Sequence, residues 1–379
     1  MKVILTPDSF KGSLSSIEAA NAMEAGIRRV LPSAEIISIP ISDGGEGTVE
    51  TLSHIKNSRI IQRKVKGPLG NWVNAKYLMT QENSAVIELA EAAGLTLLKS
   101  EERNPMEAST FGVGELIKDA LDNGTKSIVL ALGGSATNDG GAGIAAALGI
   151  RILDGAGQEV TPNATGLSKA VRIDISRMDK RLLEIPIEIA CDVQNPLCGV
   201  LGASRVYGLQ KGATSQMALL LDDILEKYSS LVAEACGKNI SKIPGAGAAG
   251  GAAVPLLAFA GAILRSGIDM ILSLTNFDLL LNGADYVFTG EGKLDKQTVY
   301  GKAVGGVASR AAAQNVPVLA FCGTLQKGYE ELLSNGLTAA FSIVPAPMSL
   351  EDCVMKAGEL LADTVEQVFR TINSKKVLP

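Results

Sequence analysis

The chain has 379 residues, enough for two or three domains, with 41 glycines and only 4% aromatics, so its core must be built from aliphatic side chains. Its 35 basic and 40 acidic residues leave a net charge of −5 with no like-charge block, which argues against nucleic acid as a partner, because phosphate-backbone binding needs a basic face. Five cysteines without a C-x-x-C pair argue against a disulfide framework or a structural zinc and point to a reducing cytoplasm.

The N-terminus predicts β-loop-α: a strand at 3–5, a loop at 7–12, and a helix capped by Ser15 or Ser16 with apolar positions at Ile17, Ala20, Met23, Ile27 and Val30. A strand at 35–41 ends in Asp43 and a glycine loop that opens a helix to about residue 55. This βαβα rhythm marks a parallel sheet covered by helices. It then fails. Residues 59–65 and 72–79 read as a hairpin around Gly67-Pro68-Leu69-Gly70, with a third strand at 85–89. A helix at 112–121 precedes a strand at 127–132, which ends in a glycine-rich loop opening the helix 142–149. A strand at 185–190 ends at Cys191-Asp192, and 217–236 is a long amphipathic helix.

Residues 243–264 carry no charge over a bilayer-spanning length. Their glycines, prolines and alanines give little insertion energy, so a buried helix after a glycine loop is expected instead. The β-α rhythm returns near 268, with strands at 284–288, 316–321 and 339–344 and helices at 305–314 and 351–372. The expected fold is α/β with two domains. Residues 1–58 and 268–379 form an open parallel α/β domain from both chain ends, and 59–267 form an inserted mixed α/β domain.

Asp8, Asp43, Asp139, Asp192 and Glu291 each follow an apolar run within about three residues, where open α/β sheets bind ligands. Any one such residue is equally well turn or cap chemistry; five together favour a site. Glycine lets a backbone approach a ligand and aim N–H groups at an anion, and carboxylates serve magnesium and proton transfer. Together they read as a phosphate-handling enzyme. The G-x-G-x-x-G match at 245–250 lacks a preceding strand, and no P-loop string is present. His54 is the only histidine and reads as a helix-end residue, which leaves acid–base work to Asp, Glu or Lys. Lys11, Lys211, Lys293 and Lys302 lie in or beside acid-bearing loops, suited to stabilising a moving phosphoryl group.

Several strings are more specific: Pro7-Asp8-Ser9-Phe10-Lys11, Ser42-Asp43-Gly44-Gly45-Glu46-Gly47-Thr48, Gly133-Gly134-Ser135-Ala136-Thr137-Asn138-Asp139-Gly140-Gly141, Cys191-Asp192-Val193-Gln194-Asn195-Pro196-Leu197, Gln210-Lys211-Gly212-Ala213, Pro244-Gly245-Ala246-Gly247 and Thr289-Gly290-Glu291-Gly292. In this order, from residue 1 to about 370, the chain resembles the bacterial type 1 glycerate kinases; Phe10 stands where a tyrosine is frequent. The resemblance implies a cytoplasmic enzyme of glyoxylate and sugar-acid catabolism with two α/β domains, the first Rossmann- or flavodoxin-like, and a site in the cleft between them. It implies transfer of the γ-phosphoryl group of ATP, with magnesium, to D-glycerate, giving 2-phospho-D-glycerate.

The expected catalytic residues are Asp192 as base, with Asp8, Lys11 and Asp43. Ser9, Asn195, Arg205 and Lys211 are expected to bind substrate, with Asn195 orienting its hydroxyl. Gly133, Gly134, Ser135, Asn138, Gly140, Gly141, Gly245 and Gly247 are expected to bind phosphate or nucleotide. Asp139, Glu291 and Asp295 are the expected magnesium ligands. The partner is the small-molecule substrate, with no nucleic acid or membrane, and the enzyme is a monomer or homodimer. The rival readings are a glycerate 3-kinase or a kinase of another small hydroxy acid, and a non-catalytic sugar-acid or nucleotide sensor.

Overall fold

Thirteen strands order the described residues: β1 (Lys2–Pro7), β2 (Glu35–Ser38), β3 (Arg59–Lys66), β4 (Trp72–Met79), β5 (Ser84–Glu88), β6 (Ser127–Ala131), β7 (Arg151–Leu153), β8 (Arg172–Asp174), β9 (Ile187–Ala190), β10 (Ile263–Arg265), β11 (Tyr286–Leu294), β12 (Val318–Leu325) and β13 (Ala339–Ser342). The computed structural model describes residues 1–39, 41, 48–53, 58–299 and 303–374. Asp43, His54 and Lys302 therefore lie outside the described residues. The chain divides into two units, Met1–Asp43 with Ile268–Pro379, and Gly44–Gly267.

The first unit holds a five-stranded sheet in the order β13-β12-β11-β1-β2, and every pairing is parallel. Val3, Val287 and Leu319 thus share one sheet, which is the discontinuous domain that the interrupted rhythm requires. Parallel strands need covered faces. Helix Ser16–Arg28 supplies one cover, with Met23 and Ile27 fully buried. Its start is a capping box, in which Ser15 accepts from the Glu18 N–H and Glu18 accepts from the Ser15 N–H. Gly26 lets the C-terminal helix lie close, since a Cβ there would stand 2.4 Å from the Ala362 carbonyl. Phe288, Phe321 and Phe369 fill the core on that side.

The second unit holds a six-stranded mixed sheet in the order β10-β9-β6-β5-β4-β3. The β3–β4 and β4–β5 pairs are antiparallel, and the remaining pairs are parallel. Helices Phe111–Asp122 and Ser215–Cys236 contribute much of its core, with Leu116, Ile117, Leu225 and Tyr228 buried.

Three details differ from the sequence reading. Helix Thr48–Ser53 packs on β4 and β5, so the first boundary falls at Asp43 rather than near residue 58. The uncharged run 243–264 is not one helix but turns, a 3-10 turn at Ala248–Gly250, the short helix Val254–Phe259 and β10. Its glycines take positive φ at 245, 250 and 251, which breaks helical continuity. The terminal helix is split into Leu350–Met355 and Ala357–Ser374. No helix of the described residues is long and apolar enough to cross a membrane.

Candidate active site

In the first unit, the β1–β11 register decides which side chains leave the sheet together. Pro7 pairs with Gly290, so Asp8 and Glu291 follow at adjacent positions. The Asp8 N–H donates to the Gly290 carbonyl at 2.8 Å, and the Asp8 carboxylate accepts from the Ser9 N–H at 2.6 Å. Gly290 has to be glycine, because a Cβ would meet the Phe321 carbonyl at 2.2 Å. Phe10 is buried and anchors this loop, while Lys11 beside it is exposed. Asp295 is largely buried and pairs with the Lys293 ammonium at 2.7 Å.

In the second unit, β6 and β9 are parallel neighbours, with Ala131 opposite Ala190. Two residues beyond this pair stand Gly133 and Asp192. The glycine-rich segment and the expected base therefore exit adjacent strands at their carboxyl ends, the position where open sheets bind ligands. Asp192 is exposed, and its Oδ1 accepts from the Gly267 N–H at 2.9 Å.

The interior of the 133–141 segment is committed to the protein itself. Asp139 is fully buried and accepts from the Thr110 N–H and hydroxyl and from the N–H groups of Gly141 and Gly143. Burial pushes its carboxyl up while these donors pull it down. Its oxygens hold the start of the helix Ala142–Ala147, so the expectation of a metal ligand gives way to a helix cap. Gly140 and Gly141 need correction too. The Gly140 N–H goes to the Gly250 carbonyl and the Gly141 N–H to Asp139. A Cβ on Gly140 would meet the Tyr228 ring at 2.8 Å, and one on Gly141 the Ala252 carbonyl at 2.6 Å. Their small size serves packing, not phosphate approach.

Gly245 and Gly247 make the same kind of room. A Cβ on Gly247 would lie 2.2 Å from the Pro196 carbonyl, and its N–H donates to the Asn195 carbonyl at 3.0 Å. Gly245 has φ +91 and sits against Cys191. The Asn195 amide, expected to orient substrate, donates to the Leu201 carbonyl and accepts from the Tyr207 hydroxyl. Arg205, expected to bind substrate, pairs with Asp222, which also accepts from the Gly199 N–H. These groups shape the loop after Asp192.

Lys211 is buried. Its Nζ donates to the Thr137 carbonyl at 2.6 Å and to the Ser135 hydroxyl at 3.1 Å. Burial pulls it down to about 7, against a smaller upward pull from Asp139. Asn138, also fully buried, donates to the Ser204 hydroxyl at 2.9 Å. Thr110, Ser204, Tyr207, Asp222 and Tyr228 are the supporting residues that sequence reasoning missed. Each is an ordinary residue in its own helix, and only the folded contact gives it a role.

Among the described residues no group of three His, Cys, Asp or Glu is placed to hold a metal ion. A cavity of about 540 Å³ between the β7–β8 hairpin and the helix Ser215–Cys236, lined by Asp154, Arg172 and Glu234 among others, holds none of the expected site residues.

Residues 3–373 match the model of the glycerate kinase family. The chain is 46% identical over 371 residues to glycerate kinase of Halalkalibacterium halodurans, covering 98% of this chain and 97% of the relative. It is 39% identical over 373 residues to glycerate 2-kinase of Escherichia coli, covering 98% of each. Among solved structures, it superposes on a protein described as glycerate kinase 2 of Salmonella typhimurium LT2 with a TM-score of 0.89, at 43% identity and full coverage of both chains. A family match of this extent, together with the strand-end carboxylates and glycine loops, places the chain in the glycerate kinase family.

Proposed function

We propose that this protein transfers the γ-phosphoryl group of ATP to D-glycerate, at the 2-hydroxyl. The observation that carries this reading is the end-to-end similarity to the E. coli relative named glycerate 2-kinase. The strand-end position of Asp192 beside the Gly133 segment supports it within the second unit.

Asp192 is our candidate for the base that accepts the proton of the glycerate hydroxyl. It is exposed, and one oxygen is fixed by the Gly267 N–H, so its direction is set without burying its charge. The half-buried Gly133 and Gly134 and the buried Ser135 are the candidates for contact with phosphate or glycerate. Asp8, Ser9 and Lys11 are the corresponding candidates in the first unit. Asn195, Arg205, Asp139, Gly140, Gly141, Gly245 and Gly247 we assign to shaping the loops.

Magnesium is usually held by one or two carboxylates plus substrate phosphates, so a family that uses it does not need a three-ligand protein cluster. Glu291 and Asp295 provide the hard oxygen donors that fit, and they are our candidate ligands. When bound, the ion neutralises phosphate charge. Lysines carry part of the same task, and the exposed Lys11 and Lys293 are free to turn toward an anion.

In this reading the enzyme is cytoplasmic, works as a monomer or homodimer, and belongs to glyoxylate metabolism. The test is ADP release on mixing protein, ATP, magnesium and D-glycerate. Release that depends on D-glycerate is expected; absence of release, with ATP or nucleotide bound and unreacted, would favour the sensor reading.

A further inference from the structure

The 135–139 segment lies between the strand that delivers Gly133 and the helix it caps, and its contacts converge on one side chain. Lys211 closes the 3-10 turn Leu209–Lys211. The turn is clamped from both ends. Gly208 packs against the Ser204 carbonyl, where a Cβ would stand 2.3 Å away, and Gly212, at φ +94, packs against the Arg103 carbonyl at 2.4 Å. Arg103 in turn donates to the Gln210 carbonyl at 3.3 Å. With its backbone fixed, the lysine has its ammonium delivered to two acceptors, the Thr137 carbonyl and the Ser135 hydroxyl.

Ser135 also donates to the Ala249 carbonyl at 3.2 Å. Gly250 sits so close to Thr137 that a Cβ would meet its carbonyl at 2.1 Å. The Gly247 N–H reaches the Asn195 carbonyl in the loop that follows Asp192. A chain of contacts therefore runs from Lys211 through Ser135 and the 247–250 turn to the Asp192 loop. A side chain only 2% exposed is poorly placed to meet a substrate. It is well placed to fix the segment that would.

Resting on the glycerate kinase reading, we infer that Lys211 is a positioning residue: it holds the Ser135–Asp139 backbone, and through it the Asp192 loop, in the geometry used for phosphoryl transfer, and it does not itself bind glycerate or ATP. A positioning group raises turnover without adding ground-state binding, so its loss appears in kcat more than in KM. Loss of the Nζ donors also frees the Thr137 carbonyl, which loosens the segment locally.

The experiment compares wild type with Lys211→Met by steady-state kinetics and by amide hydrogen exchange of the substrate-free protein. Expected for Lys211→Met is a fall in kcat of roughly 10–100-fold, KM for D-glycerate and ATP within about threefold, and exchange at residues 135–139 faster by about tenfold or more. Exchange in β1 and β11 should stay as in wild type. A KM rise above about tenfold with kcat retained would make Lys211 a direct ligand and overturn the inference; unchanged kcat and unchanged exchange would overturn it as well. Should Lys211→Met not fold, the same readings on Lys211→Gln, whose amide keeps one donor, decide by the same thresholds. The exchange arm needs no turnover, so a protein that failed to phosphorylate glycerate would still report on the loop, whereas intact wild-type turnover with an unmoved loop would sink this inference alone.

Discussion

The Gly140 N–H donates to the Gly250 carbonyl at 2.9 Å, so two glycine segments that lie about a hundred residues apart in sequence are locked together in the second unit. Ser135 repeats the link through the Ala249 carbonyl, and a Cβ on Gly251 would stand 2.9 Å from the Gly140 Cα. The loops that read as separate ligand cradles are one packed body, with ligand-facing positions left at its Gly133 end.

Gly140→Val is accordingly predicted to damage stability rather than ATP binding. Gly140 has φ +59, and a Cβ would collide with Tyr228 and Leu225. Left-handed backbone costs a non-glycine residue about 1–2 kcal/mol, and overpacking adds about 1–3 kcal/mol. Thermal unfolding should show a clear drop in Tm or loss of soluble protein. A near-native Tm with a raised KM for ATP would mean that the glycine faces nucleotide after all.

Asp192→Asn should leave the fold intact, because the side chain is exposed and the Asn oxygen can still accept from Gly267. Losing a general base costs about 10²–10⁴-fold in rate, so kcat should fall by that order at an unchanged Tm. Near-normal turnover would remove Asp192 from the role.

Stability should also carry the mark of Lys211. Its folded value is depressed from 10.5 to about 7, so between these values the unfolded chain binds more protons than the folded one. Stability contributed by this group therefore rises with pH across that window and is least below it. Denaturant unfolding at about pH 7 and about pH 8.5, below the range where the raised Cys191 and Tyr228 titrate, should show a gain in wild type that Lys211→Met lacks. An equal pH response in both proteins would mean that the buried amine titrates normally.

Much of the fold could be read from the sequence because strand ends and glycines punctuate it. Val3, Val287 and Val318 sit in short apolar runs followed by Asp8, Glu291 and Gly323, and these became the central parallel strands. The β3–β4 hairpin was visible from alternation around Gly67-Pro68-Leu69-Gly70. By contrast, the short β7 and β8 strands were missed, since three-residue pairs carry almost no periodic signal.

The site was harder to read because the same residue types serve two purposes. An aspartate before two glycines can cradle an anion or cap a helix, and Asp139 turned inward only because Thr110, from the start of another helix, meets it. Arg205 likewise looks like a substrate cation until Asp222, seventeen residues on, is found beside it. Sequence spacing alone does not hold that information; three-dimensional contact does.

The central claim is phosphoryl transfer to the 2-hydroxyl of D-glycerate, and product identity tests it most directly. The reaction with ATP and magnesium is coupled first to enolase alone and then to enolase with phosphoglycerate mutase. The account predicts full signal with enolase alone, as 2-phosphoglycerate is its substrate. Signal that emerges only after the mutase is added would identify 3-phosphoglycerate and contradict the account.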